Sequence, residues 1–139
     1  WGRPDMSIYK FTSKITKKMP ITIYGNGKQI RDFTYIDDAT LIMEKIIKKF
    51  NKKNKFYFDI FNSGKGECIM LNDLVSLLSK KIKIKPKILN KKKQFGDVNF
   101  TNSSSEKILK KLNFKPKVNL RDGIDNFLEW YYKIGKKIK

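Results

Sequence analysis

Histidine is absent from these 139 residues, and cysteine occurs once, as Cys68. The first absence removes the commonest general base and the commonest transition-metal ligand. The second excludes an intramolecular disulfide and a cysteine-built metal centre, and makes a cytosolic setting the default expectation. No apolar run approaches the ~20 residues that a membrane span needs. The chain opens on Trp1 with no apolar leader, so the expectation is a reading frame that begins inside a longer protein. Arginine is scarce too: of 32 basic residues only Arg3, Arg31 and Arg121 are arginine. In so lysine-rich a chain, a retained arginine marks a place that needs a planar, two-pronged donor.

What is present is a hydrophobic fraction of 40%, enough for a folded core within one domain or part of one. The formal net charge of +19 raises nucleic acid as a partner. Lysine is scattered through every segment rather than gathered into a stripe, which favours a solvated lysine surface over a binding face.

Residues 21–38, ITIYGNGKQIRDFTYIDD, carry the most pattern. Ile21 and Ile23 alternate with Thr22 and Tyr24, which is strand periodicity. Asn26-Gly27 predicts a two-residue hairpin turn into a second strand. Asp37 or Asp38 is a candidate cap for the following helix, 37–50, whose apolar face is Leu41, Ile42, Ile46 and Phe50. Arg31, between a turn and a helix start, is well placed to hold an anion.

Elsewhere, Pro4 and Asp5 suit a helix start, and Met6, Tyr9, Phe11 and Ile15 suit its apolar face. Phe56 to Asn62 predicts a buried strand ended by Ser63-Gly64-Lys65-Gly66. A short strand over 67–70, a helix opened by Asn72 or Asp73 and running to Lys81, and a strand near Ile88-Leu89 follow. Gln94 to Val98 reads as a turn. Asn102 is the expected cap of a helix over 103–112, and the last helix presents Ile124, Phe127, Leu128 and Tyr131 on one face.

WGRPDM at 1–6, the 21–38 stretch, FGDV at 95–98 and KILKKLNFKPKVNLRDGIDNFLEWY at 107–131 together resemble extended short-chain dehydrogenase/reductase enzymes. Within these the chain is most similar to the nucleotide-sugar branch, UDP-glucuronate 4-epimerases in particular. The resemblance implies an α/β fold: residues 1–139 would be the C-terminal substrate-binding part, a small mixed sheet with helices. The Rossmann half would lie upstream and bind NAD. It implies an isomerase that oxidises sugar C4 transiently and returns the hydride to the other face. By matching positions, Arg3 would hold the uronate carboxylate and Arg31 the pyrophosphate. Thr22 and Tyr24 would border the uracil, and Gln94 and Asp97 would contact nucleotide or ribose. Implied partners are a UDP-sugar, the chain's own N-terminal half and a second copy in a homodimer, with no membrane.

No G-x-G-x-x-G turn occurs here, and the pairs Gly25-x-Gly27 and Gly64-x-Gly66 read as simple turns. Tyr24-x-x-x-Lys28 and Tyr132-x-x-x-Lys136 match the spacing of a proton-transfer pair, but one spans a turn and the other a chain end. No catalytic residue is therefore expected, and these residues alone are expected to be inactive. The competing readings are a dehydratase or decarboxylase of the same superfamily, and a basic module whose affinity for nucleic acid would fall steeply with salt.

Overall fold

A computed structural model describes residues 6–51 and 58–137 of the protein. Along the chain run α1 (Ser7–Thr16), β1 (Ile21–Tyr24), β2 (Ile30–Asp32), α2 (Ile36–Phe50), β3 (Cys68–Met70), α3 (Leu71–Ile82), β4 (Ile88–Lys91), α4 (Glu106–Leu112) and α5 (Leu120–Lys133). A final 3-10 turn spans Gly135–Lys137. The residues gather into two compact units, the first made of 1–31, 69–100 and 124–139, the second of 32–68 and 101–123.

In the first unit, Tyr9, Thr12 and Ile15 recur at helical spacing and bury one face of α1. That face packs on α3 and β1. Ile21 and Ile23 point into the core and Thr22 and Tyr24 away from it, the expected alternation. Leu74, Val75 and Leu78 of α3 and Ile124, Leu128 and Tyr131 of α5 complete the buried set. The Tyr9 and Tyr131 rings meet edge to face at 5.6 Å, and the Tyr9 hydroxyl donates to the Gly135 carbonyl at 2.8 Å. Truncating Leu78 to alanine in so closed a site would cost ~2–5 kcal/mol.

The expected hairpin does not form. β1 pairs in parallel with β4, Ile21 opposite Ile88 and Tyr24 opposite Lys91, while β2 pairs with β3. Gly25 and Gly27 both take positive φ, +76° and +72°. Their loop turns the chain aside and covers the start of α3, where Leu71 N–H donates to Gln29 O at 2.9 Å and Asn72 N–H to Gly27 O at 3.0 Å. Backbone carbonyls of this loop thus meet N–H groups that the helix start leaves open. The same bonds correct the expected opening of α3: its cap is Met70 without a side-chain bond, and Asn72 instead donates from its amide to Asn26 O. A Cβ on Gly27 would sit 1.9 Å from Asn72 Oδ1, so any other residue would have to displace that amide and would also be strained at φ +72°.

The second unit is built on α2 and α4. Ile42, Ile108, Leu112 and Phe114 form its core, with Ile46, Phe50 and Phe61 packed against it. Leu41 is exposed rather than on the buried face, because it lies about 100° round the helix from Ile42. Neither Asp37 nor Asp38 caps α2, whose cap position is Tyr35 with no side-chain bond. Asp38 is instead 3% exposed and accepts the N–H groups of Lys117 and Val118 at 2.9 and 2.8 Å.

α4 begins at Glu106, three residues later than expected, with Ser105 at the cap position. Asn102 accepts Ser103 N–H at 2.8 Å, and Asp32 takes the same N–H at 3.1 Å, so the backbone is committed before a helix can start. Asn113 ends α4 in the left-handed region at φ 49°. The buried strand expected over 56–62 is also revised: Phe56 and Tyr57 lie outside the described residues, and 58–62 carry no strand pairing. Phe61 faces inward onto Phe50, with ring centroids 6.1 Å apart. Phe58 and Ile60, on the alternate side, are 77% and 69% exposed. Without a neighbouring strand the segment covers only one of its faces.

Candidate functional site

The loop from Gly25 to Gln29 leaves β1 and hands the chain to β2, where Arg31 is the central residue. A second segment, the turn at 94–97, arrives from β4. It is closed by Asp97 N–H on Gln94 O at 3.3 Å and by Gly96 at φ +80°. Two backbone bonds tie these segments together: Gly25 N–H to Lys91 O at 2.8 Å and Ile30 N–H to Asn99 O at 2.8 Å.

Held in this way, Arg31 Nη2 donates to Asp97 Oδ1 at 2.6 Å, and its Nη1 donates to Ile30 O at 2.9 Å. The two side chains are 24% and 29% exposed, so solvent reaches the pair and partly screens it. Beneath it lies Gln29, whose Nε2 donates to Tyr24 O and, at 3.4 Å, to Asp97 Oδ2. Both carboxylate oxygens of Asp97 therefore have side-chain donors, one charged and one neutral. The guanidinium, with N–H groups unused, can donate to a phosphate oxygen, and the oriented carboxylate beside it can accept from hydroxyl donors.

The residues singled out from the sequence are placed as follows. Arg31 and Asp97 are brought into direct contact although 66 positions separate them. Tyr24 joins them through its backbone carbonyl, and Thr22 lies on the same face of β1. Gln94 is exposed and enters through its carbonyl, which shapes the turn of Asp97. Arg3 lies outside the described residues. Gln29 was not anticipated; the only signal for it is its place two residues before Arg31.

Of the two Tyr-x-x-x-Lys matches, Lys28 sits in the loop rather than on a helix with Tyr24. Tyr132 lies in the last turn of α5 while Lys136 belongs to the following 3-10 turn, its Nζ 5.2 Å from the Tyr132 ring centre. Neither pair has uninterrupted α-helical spacing. Among the described residues no group of three His, Cys, Asp or Glu side chains could hold a metal ion, and no helix is long and apolar enough to cross a membrane.

Residues 3–127 match the family model described as GDP-mannose 4,6 dehydratase. The chain belongs to that nucleotide-sugar epimerase and dehydratase family. UDP-glucuronate 4-epimerase 3 of Arabidopsis thaliana is 36% identical over 152 residues, which cover 99% of this chain and 35% of the plant protein. Protein CapI of Staphylococcus aureus is 29% identical, covering 99% of this chain and 45% of CapI. Among solved structures, the UDP-glucuronic acid 4-epimerase of Bacillus cereus, in complex with UDP-glucuronic acid and NAD, superposes with a TM-score of 0.84 at 27% identity. That match covers 95% of this chain and 41% of the B. cereus chain. MoeE5, also in complex with UDP-glucuronic acid and NAD, gives 0.85 at 26% identity, covering 94% and 42%. The fold is thus that of extended short-chain dehydrogenase/reductase epimerases. The chain spans between a third and a half of the length of these relatives.

Proposed function

We propose that the chain is the C-terminal, substrate-binding portion of an NAD-dependent UDP-glucuronate 4-epimerase. The observation that carries this reading is the Arg31–Asp97 pair, built from two loops and supported by Gln29. Arg31 would bind the pyrophosphate through its free N–H groups, and Asp97 would accept from the ribose hydroxyls. Thr22 and Tyr24 would border the uracil, Gln94 would contact the nucleotide, and Arg3 would bind the uronate carboxylate. These contacts act on the parts of the substrate that do not react. Their binding energy would hold sugar C4 in register for chemistry performed elsewhere in the protein.

NAD, when bound, supplies the hydride acceptor and donor for C4. The glycine pairs of this chain do not fit it. Gly25-x-Gly27 leads into a strand rather than a helix, and Asn72 occupies the space at Gly27. At Gly64 the space is taken by Ser103 and Asp32. The cofactor site and the proton-transfer pair would therefore lie in the part of the relatives' length that these residues do not span. A homodimer of the complete protein and a cytoplasmic setting accompany this reading.

The test is to incubate the complete polypeptide carrying these residues with UDP-glucuronate and NAD and to follow the sugar by proton NMR. Conversion to UDP-galacturonate supports the reading; loss of water or carbon dioxide from the sugar would replace it with a dehydratase or decarboxylase. Arg3→Ala should harm turnover of the uronate more than that of UDP-glucose, and equal losses would remove its carboxylate role.

A further inference from the structure

Gln29 is 6% exposed, and its amide is used asymmetrically. Nε2 donates to Tyr24 O and to Asp97 Oδ2, whereas Oε1 is buried with no partner among the described residues. Reversing the amide would set its oxygen against a carbonyl and a carboxylate, so the orientation is fixed by its surroundings. A buried amide oxygen without a donor is destabilising. An apolar side chain of similar length would spare that cost, so core packing does not explain a glutamine here.

We propose that Gln29 is a positioning residue for the nucleotide site: it fixes the Asp97 carboxylate, and through Asp97 the Arg31 guanidinium, in the arrangement that receives a nucleoside diphosphate. The inference rests on the reading of Arg31 and Asp97 given above. With Oδ2 tied to Gln29, the carboxylate presents Oδ1 to Arg31, and the planar guanidinium is oriented before any ligand arrives. The backbone holds Gln29 in turn, since its own carbonyl accepts Leu71 N–H at 2.9 Å at the start of α3. Glycine suits position 25, where φ is +76° and a Cβ would lie 3.0 Å from Gln29 Nε2.

The test uses UDP as the probe, titrated calorimetrically into the complete polypeptide, with Gln29→Met, Gln29→Glu, Asp97→Asn and the double variant Gln29→Met/Asp97→Asn. Gln29→Met should weaken UDP binding about tenfold while the thermal midpoint stays within a few degrees. Because Gln29 acts through Asp97, the double variant should bind no more weakly than Asp97→Asn alone. Gln29→Glu adds a second carboxyl beside Asp97. Charged or titratable groups on the elements around it include Arg31 and Asp32 on β2, Tyr24 on β1, Lys91 at the end of β4, Lys28 in its own loop, Lys93 by the 94–97 turn and Asp73 in the first turn of α3. Its affinity relative to wild type should fall about tenfold between about pH 5.5 and pH 8, as the two carboxyls come to repel. Additive losses in the double variant, or a flat relative pH profile, would overturn the proposal. So would loss of the folded state in both Gln29 variants, which would make Gln29 a purely structural residue. If Arg31→Ala and Asp97→Asn leave UDP affinity unchanged, the underlying reading fails instead, whatever the Gln29 variants do.

Discussion

Asp97 and the pair Asp32 and Asp38 are all half-buried or buried carboxylates, but they keep different company. In the second unit, Asp32 accepts Gly66 N–H with both oxygens, at 3.2 and 3.0 Å, and Ser103 N–H at 3.1 Å. Asp38 accepts two successive N–H groups, of Lys117 and Val118. Both fasten loops by holding main chain that has no other way to satisfy its donors. Asp97, in the first unit, is held by the side chains of Arg31 and Gln29. Side-chain donors can be shared with a ligand or turned toward it; backbone donors already committed to a loop cannot. The contrast separates acids that fasten main chain from one held by side chains, as the binding role proposed for Asp97 requires.

The largest expected effect that sharpens this contrast is at Asp38. Asp38→Ala leaves two partly buried N–H groups without their acceptor and should cost ~2–4 kcal/mol in urea unfolding, with UDP affinity of the folded protein unaltered. Asp32→Asn keeps one acceptor oxygen and should cost ~1–2 kcal/mol by the same measurement, again without a change in UDP affinity. Asp97→Asn should do the reverse. Its half-buried, solvent-screened ion pair contributes less than ~1 kcal/mol to folding, whereas UDP binding should weaken about tenfold. If Asp97→Asn were as destabilising as Asp38→Ala, the distinction between the two kinds of acid would collapse.

The smallest effect is expected at Glu44 and Glu129. Hydrogen bonds to Lys48 and Lys133 respectively, reinforced by the lysines' charge, hold their carboxyls below the ordinary glutamate range. A lowered folded-state value stabilises the protein above the ordinary range and is lost as pH falls through the folded-state value. Both groups are fully exposed and screened. Glu129→Gln should leave the pH dependence of melting in moderate salt indistinguishable from wild type.

These differences bear on what could be read from residues alone. Helices α2, α3 and α5 were legible because their apolar positions recur within a few residues, a purely local signal. Arg31 stands out as an arginine in a lysine-rich chain, but its contact with Asp97, 66 positions away, follows from no local pattern. The hairpin was misread because Asn26-Gly27 is a local rule, and the partner that overrides it, β4, lies more than sixty positions away. The late start of α4 depends on Asp32, equally distant in sequence. Gln29 was invisible for a related reason: burial of a polar side chain under a turn follows from where the 94–97 segment returns. The bare side of Phe58 and Ile60 is likewise a property of packing, since alternation predicts a strand and cannot say whether another strand lies beside it.

Arg31 and Asp97 are proposed to form a nucleoside diphosphate site. Calorimetric titration of UDP into the complete polypeptide, comparing wild type with Arg31→Ala, tests it most directly. Loss of the guanidinium's charged hydrogen bonds to the pyrophosphate should weaken binding by about 2–3 kcal/mol, or roughly thirty- to a hundred-and-fiftyfold, with the fold retained. Equal affinity in the two folded proteins would contradict the claim and leave the Arg31–Asp97 pair as a clasp between two loops.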